Sequence, residues 1–205
     1  MQPSLMDTRI QSTGKLRSRH LPALYLDPSF FAAYVALPPE DGTAYAEIAR
    51  RAREGALGLT LVVSSLTLLR WMQASAAIYR AEHRDEHHAG ALEDSDFEGL
   101  RFQGWLQHLL GDALDGVLQV DLRAFDLGLD AAWEEWPALA LLDGAAGSTL
   151  DALAARHLGC THLATLRPEM ARICELLRST GGPQPLLGPA AVLAAAPPAA
   201  SSLAE

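Results

Sequence analysis

The sequence predicts an α/β sandwich in which a short parallel sheet lies between two layers of helices. Short apolar segments that are typical of buried strands alternate along the chain with longer segments of helical periodicity. Glycines and prolines, such as Gly159 and Pro168, separate many of these segments and favour turns there. The chain has 205 residues, 49% of them apolar, which is enough for one domain with its own core. We therefore expect a three-layer α/β/α fold.

Two strands and three helices are predicted in the first 80 residues. Residues 21–26 are apolar and end at Asp27, and apolar residues recur at helical spacing from residue 30. Residues 43–54 combine an apolar face with a charged face, as a surface helix does. Residues 59–63 are β-branched and apolar and so favour a strand. Ser64 or Ser65 can then cap the helix that follows.

In the middle of the chain, the sequence predicts one strand at 117–120, which lies between predicted helices at 100–110 and 125–136. A helix at 150–158, a strand at 161–165 and a helix that begins near Pro168 follow in close succession. Ser148 and Asp151 have the spacing of a capping box, in which the acid reaches back to the helix start. Asp27 before Pro28 is likewise typical of a helix N-cap, a role that is compatible with metal binding.

Composition divides the chain into three parts. Residues 1–20 are polar and mildly basic, and we expect a disordered leader there. Residues 21–179 form the predicted domain, with a charged insertion at about 80–98. Residues 180–205 are rich in Ala and Pro and almost uncharged, so we expect a disordered tail.

Charge and hydropathy exclude several classes of protein. The net charge of −9 and the ordinary apolar content argue against a disordered chain and against a protein that coats nucleic acid. The longest apolar segment, at 56–69, is too short to cross a bilayer, so no membrane association is expected. Cys160 and Cys174 have no paired framework, which favours the cytoplasm.

Three local patterns, in this order, resemble the PIN domain, a family of metal-dependent ribonuclease-like proteins. The first is LYLDPSFF, with Asp27 at the end of a strand, and the second is VVSSLTLLRWMQ, a strand followed by Ser64 and a helix. The third pattern spans 150–170. It consists of a helix that contains Asp151, followed by a glycine turn, then a short strand and then a second turn. The resemblance covers roughly residues 22–178.

The resemblance implies a function as well as a fold. Active members of the family are understood as endoribonucleases that use Mg²⁺ or Mn²⁺, some of them toxins. By resemblance, Asp27 and Asp151 are the catalytic acids and metal ligands. Glu169, two residues after Arg167, could partly restore a missing acid as a further ligand; the alternative, which we prefer, is a carboxylate in the first turn of a helix, where the helix dipole favours it. The implied partners are RNA, an antitoxin-like protein and a second copy of the chain in a homodimer.

The chain departs from the family pattern at two acidic positions, which are Arg70 and Arg167 here. Exchanging two anions for two cations changes the formal charge of the site by four units and favours Asp–Arg pairs over a metal. Arg70, Arg167 and Ser64 are then the expected substrate-binding residues. We expect weakened or lost catalysis with RNA binding; the alternatives are an active toxin-type ribonuclease and a non-catalytic interaction scaffold.

Overall fold

A five-stranded parallel sheet forms the centre of the protein. The computed structural model describes residues 21–36, 43–82, 120–125 and 146–196. The strands are β1 Ala23–Leu26, β2 Thr60–Ser64, β3 Val120–Arg123, β4 His162–Thr165 and β5 Gln184–Leu187. They lie in the order β3-β2-β1-β4-β5, and every neighbouring pair is parallel. The predicted α/β fold with a parallel sheet is thus confirmed.

Strand β1 is the central strand and is buried along its whole length. Leu24 lies opposite Leu61 of β2 on one side and opposite His162 of β4 on the other. Leu24 belongs to the core on one face of the sheet and Tyr25 to the core on the other. A strand that is covered on both faces needs an almost continuous apolar sequence, which residues 21–26 supply.

Helices cover both faces of the sheet. They are α1 Pro28–Ala36, α2 Ala44–Arg53, α3 Ser65–Glu82, α4 Ala146–His157, α5 Glu169–Leu177 and α6 Gly188–Ala195. Side chains from α1, α2 and α6 fill one core, and side chains from α4 and α5 fill the other. This arrangement confirms the predicted three layers.

Two of the predicted helix caps are present and one is wrong. Asp27 Oδ1 accepts a hydrogen bond from the Phe30 amide at 2.8 Å, which confirms the cap of α1. Ser64 Oγ accepts from the Thr67 amide at 3.0 Å and so caps α3. The capping box from Ser148 to Asp151 does not form, because α4 already begins at Ala146.

The predicted disorder from residue 180 is wrong for residues 184–195, which form β5 and α6. Strand β5 pairs with β4, where Leu186 lies opposite Ala164. Leu186 and Val192 are buried in the core. The segment is therefore part of the domain, and its low charge does not mark a linker.

Several predictions fall on residues outside the described ranges. These are the leader at 1–20, most of the charged insertion, the helices at 100–110 and 125–136, and residues 197–205. Residues 80–82 of the insertion continue α3, and Val120 of the predicted strand at 117–120 begins β3. Within the described residues, no helix has both the length and the apolar character that a membrane span requires. Cys160 and Cys174 are both buried and unpaired.

Candidate functional site

Four predicted side chains meet at the carboxyl edge of the sheet: Asp27, Arg70, Asp151 and Arg167, which we call the Asp–Arg cluster. Asp27 follows β1, Arg70 lies on α3, Asp151 lies on α4, and Arg167 lies in the turn between β4 and α5. The ends of parallel strands share one edge, and open α/β sheets bind ligands there. The structure thus brings together the two acids and the two arginines that the sequence pattern singled out.

Arg167 joins the two buried aspartates. Its Nη2 atom donates to Asp27 Oδ2 at 2.7 Å and to Asp151 Oδ2 at 2.5 Å. Its Nε donates to Asp27 Oδ2 at 3.0 Å, and its Nη1 donates to Ser148 Oγ at 2.9 Å. Both aspartate side chains are fully buried, whereas that of Arg167 is 25% exposed. One guanidinium group therefore neutralises and holds two carboxylates.

Arg70 contacts the same site from helix α3. Its Nη1 donates to Asp151 Oδ2 and to the Gly147 carbonyl, both at 2.8 Å. A Cβ atom at Gly147 would lie 2.3 Å from Arg70 Nη2. The missing side chain at residue 147 thus allows the guanidinium group to lie against α4. The sequence patterns did not connect Gly147 with Arg70.

Both oxygens of Asp27 are satisfied by protein donors. Oδ1 accepts from the Phe30 amide and from Ser29 Oγ, the latter at 2.7 Å. Oδ2 accepts from Thr165 Oγ1 at 2.5 Å in addition to Arg167. Ser29 was missed at the sequence level, although a serine two residues after a capping aspartate is placed for such a bond. Asp27 is thus both the cap of α1 and a member of the Asp–Arg cluster.

The carboxylate of Asp151 has fewer hydrogen-bond donors than that of Asp27 within the described residues. Its Oδ2 accepts from both arginines, but its buried Oδ1 has no hydrogen-bond partner within the described parts of the chain. Burial raises the pKa of Asp151 to about 6, while Arg167 and Arg70 act in the opposite direction. Burial lowers the pKa of Arg167, but the two carboxylates outweigh it and raise that pKa overall.

The sequence predicted that Ser64 and Glu169 would belong to the site. Neither side chain joins the Asp–Arg cluster. Ser64 is fully buried, and its Oγ is bonded to the Tyr25 hydroxyl at 2.8 Å and to Thr67. A buried cap of this kind does not face a substrate. Glu169 is exposed, and its carboxylate accepts from Ser148 Oγ at 3.3 Å rather than turning toward the two aspartates.

The arrangement does not fit the Mg²⁺ or Mn²⁺ ion that the family resemblance implies. Such ions need free carboxylate oxygens, yet the oxygens of Asp27 and the Oδ2 of Asp151 are occupied by donors. The two guanidinium groups would also repel a cation. Within the described ranges, no group of three His, Cys, Asp or Glu side chains could hold a metal ion.

Fold and site together define an α/β/α sandwich with a buried Asp–Arg cluster at the carboxyl edge of its sheet. Comparisons of the chain with models of known protein families, with curated proteins and with solved structures found no match. The case for a function therefore comes from the sequence patterns and from this geometry.

Proposed function

We propose that this protein is a PIN-like protein in which the Asp–Arg cluster has replaced the metal centre, so that RNA cleavage is lost. The observation that carries this proposal is the bonding of one atom, Arg167 Nη2, to both Asp27 and Asp151. Support for the relation to PIN domains comes from the three ordered sequence patterns. The meeting of the two aspartates at the carboxyl edge of the sheet also agrees with that relation.

Electrostatics favours the arginines over a metal at this site. A unit charge 4 Å from a carboxylate contributes on the order of 4 kcal/mol at an effective dielectric constant near 20. Arg167 contacts two carboxylates at hydrogen-bonding distance, and Arg70 contacts one of them. An ion that entered beside these groups would meet repulsion of similar size. Without a metal, the family's means of activating water and neutralising the phosphate is missing.

The decisive experiment titrates Mn²⁺ into the wild-type protein in a calorimeter. We expect no binding up to about 1 mM metal, a concentration at which even a weak carboxylate site is occupied. The Asp27→Ala, Asp151→Ala double variant is the matched control. Binding in the micromolar range that disappears in this control would contradict the proposal and support an active toxin-type ribonuclease. RNA incubated with the protein and Mn²⁺ or Mg²⁺ should remain intact.

RNA binding without cleavage is a second candidate function, which the bonding and the exposure of the Arg70 side chain favour. Within the described parts of the chain, Nη1 is the only nitrogen of Arg70 that has a hydrogen-bond partner. The side chain is 27% exposed. Guanidinium groups match the geometry of phosphate oxygens. One phosphate contact is a weak interaction for an acidic protein, so we expect only modest affinity for RNA.

This second candidate is tested by the fluorescence anisotropy of a labelled single-stranded RNA. Arg70→Gln should weaken binding and lower the dependence of log K on log salt by about 0.7, the value for one phosphate contact. Arg178→Gln is the control, because Arg178 is exposed and pairs with Glu175 on the surface. If the wild type does not bind RNA, the interaction scaffold becomes the better proposal. An antitoxin-like partner and a homodimer stay predictions, which co-purification and light scattering would check.

A further inference from the structure

Strand β3 is an edge of the sheet and bears an exposed leucine. Within the residues that the structure describes, β3 pairs with β2 on one side and with no strand on the other. Leu122 lies opposite Val63, which is a core residue, yet 59% of Leu122 is exposed. An edge strand with an exposed apolar side chain is a template for pairing with another chain, unless proline or charged side chains prevent it.

The opposite edge of the sheet, at β5, is protected by a proline. The Gln184 amide donates to the Thr161 carbonyl at 2.9 Å and so faces β4. Successive backbone nitrogens of a strand point to opposite sides, so the nitrogen of Pro185 faces outward, where it has no hydrogen to donate. Strand β3 contains no proline, and its two charged residues have opposite signs. Pairing with another chain is therefore favoured at β3 and not at β5.

The sequence of β3 is complementary to itself when two copies run antiparallel about a two-fold axis perpendicular to the sheet. With the axis at Leu122, the two copies of Leu122 lie opposite each other, and Asp121 of each copy lies opposite Arg123 of the other. An axis at Asp121 would place two aspartates opposite each other, and an axis at Arg123 would place two arginines so. Like charges in these positions are destabilising. The register centred on Leu122 is thus the one that pairs opposite charges.

We propose that this protein forms a symmetric dimer through β3, in which two copies pair antiparallel about Leu122 and join their sheets into one. A second copy of the chain is the partner that this edge fits, because the same residues, Asp121 and Arg123, supply both halves of the charge match. Neither RNA nor a metal takes part, so the dimer is independent of the proposed function.

The charged side chains of β3 are already held in place for this pairing. Arg123 Nε and Nη2 each lie 2.9 Å from Asp121 Oδ2, and Nη1 donates to the Leu158 carbonyl at 2.9 Å. The side chain of Arg123 is 34% exposed and that of Asp121 48%, so both are accessible to a second copy. Strands this short bury little area between them, so we expect a weak dimer with a Kd on the order of 10–100 μM.

The test is sedimentation equilibrium at about 5–500 μM protein, a range in which the wild type should pass from monomer to dimer. Asp121→Arg places arginines opposite Arg123, and Arg123→Asp places aspartates opposite Asp121. Each variant alone should therefore dimerise at least about tenfold more weakly than the wild type. An equimolar mixture of the two variants should restore the dimer, because every arginine then lies opposite an aspartate.

Glu175→Arg and Arg178→Asp make the same changes in charge at an exposed ion pair and should leave the dimer unchanged. A wild type that stays monomeric at about 500 μM overturns the proposed dimer. A dimer that persists in Asp121→Arg lies on another surface and overturns it as well. A mixture of folded variants that stays monomeric has the same consequence.

Arg123→Asp also removes the bond to the Leu158 carbonyl and can fail to fold, which circular dichroism would show. Leu122→Lys then decides the matter together with Asp121→Arg. Leu122 is largely exposed, so its replacement should leave the fold intact while placing two lysines opposite each other at the axis. At least tenfold weaker dimerisation of both folded variants supports the proposed dimer, and dimerisation as tight as that of the wild type overturns it.

Discussion

Gly147 of helix α4 lies against Arg70 of the Asp–Arg cluster, and Gly147→Ala tests that contact. The added Cβ atom would lie 2.3 Å from Arg70 Nη2 and 3.1 Å from its Cζ. The first distance is far inside van der Waals contact, so the guanidinium group has to move away. Arg70 then loses its bonds to the Gly147 carbonyl and to Asp151 Oδ2, each 2.8 Å long.

Two opposing effects determine the size and sign of the change in stability. Replacing glycine by alanine within a helix ordinarily stabilises a protein by about 0.5–1 kcal/mol. Losing a hydrogen bond to a charged group costs about 1.5–3 kcal/mol, and Asp151 would stay buried with one donor fewer. We therefore expect Gly147→Ala to lower the free energy of unfolding by about 1–2 kcal/mol.

Urea unfolding of a double-mutant cycle measures this effect. In an Arg70→Ala background the clash is absent, so Gly147→Ala should stabilise the protein by about 0.5–1 kcal/mol. The coupling energy between the two residues should be about 2 kcal/mol. If Gly147→Ala stabilises the protein equally in both backgrounds, Arg70 does not lie against α4 and the reasoning is refuted.

Three further predictions concern stability. Arg167→Met should lower the free energy of unfolding, measured in urea, by about 3–5 kcal/mol. Adding Asp27→Asn and Asp151→Asn should recover at least half of this loss, because the unpaired buried charges are then gone. A loss below about 1 kcal/mol would count against the Asp–Arg cluster. Since burial raises the pKa of Asp151 to about 6, the folded state binds its proton more tightly, so this group should add about 2 kcal/mol of stability as the pH falls from about 7 to about 4. Asp151→Asn should remove that part of the pH profile, and an unchanged profile would refute the assignment. Ending the chain after Gly182 removes β5 and α6 and should cost about 3–6 kcal/mol, from the buried Leu186 and Val192; an unaltered thermal melt would show that these elements add nothing.

The positions of the cluster residues could be predicted from sequence because they depend on local pattern. Asp27 ends an apolar strand, and Asp151 lies in a periodic helix before a glycine turn. Arg70 and Arg167 lie a fixed number of residues along the sequence after the ends of predicted strands. Parallel pairing of these strands then places all four residues at one edge. That they meet could be inferred, although which atoms pair could not.

The parts that sequence reasoning missed depend on contacts between distant residues. Ser148 was predicted to cap a helix at 150–158, but α4 begins at Ala146, and Ser148 Oγ binds Arg167 and Glu169 instead of capping. The composition of residues 180–196 fits a linker as well as an edge strand followed by a helix. Only the pairing of β5 with β4 distinguishes the two.

The central position of β1 has a consequence for the newly made chain. Thr165, which ends β4 and bonds Asp27, lies 138 residues after it. At about 5–20 residues per second, synthesis takes on the order of 7–28 s to reach that point. Throughout this time the β4 side of β1 lacks its partner, and an open apolar strand edge is a template for pairing with other chains. The nascent protein should therefore depend on chaperones until β4 has been made.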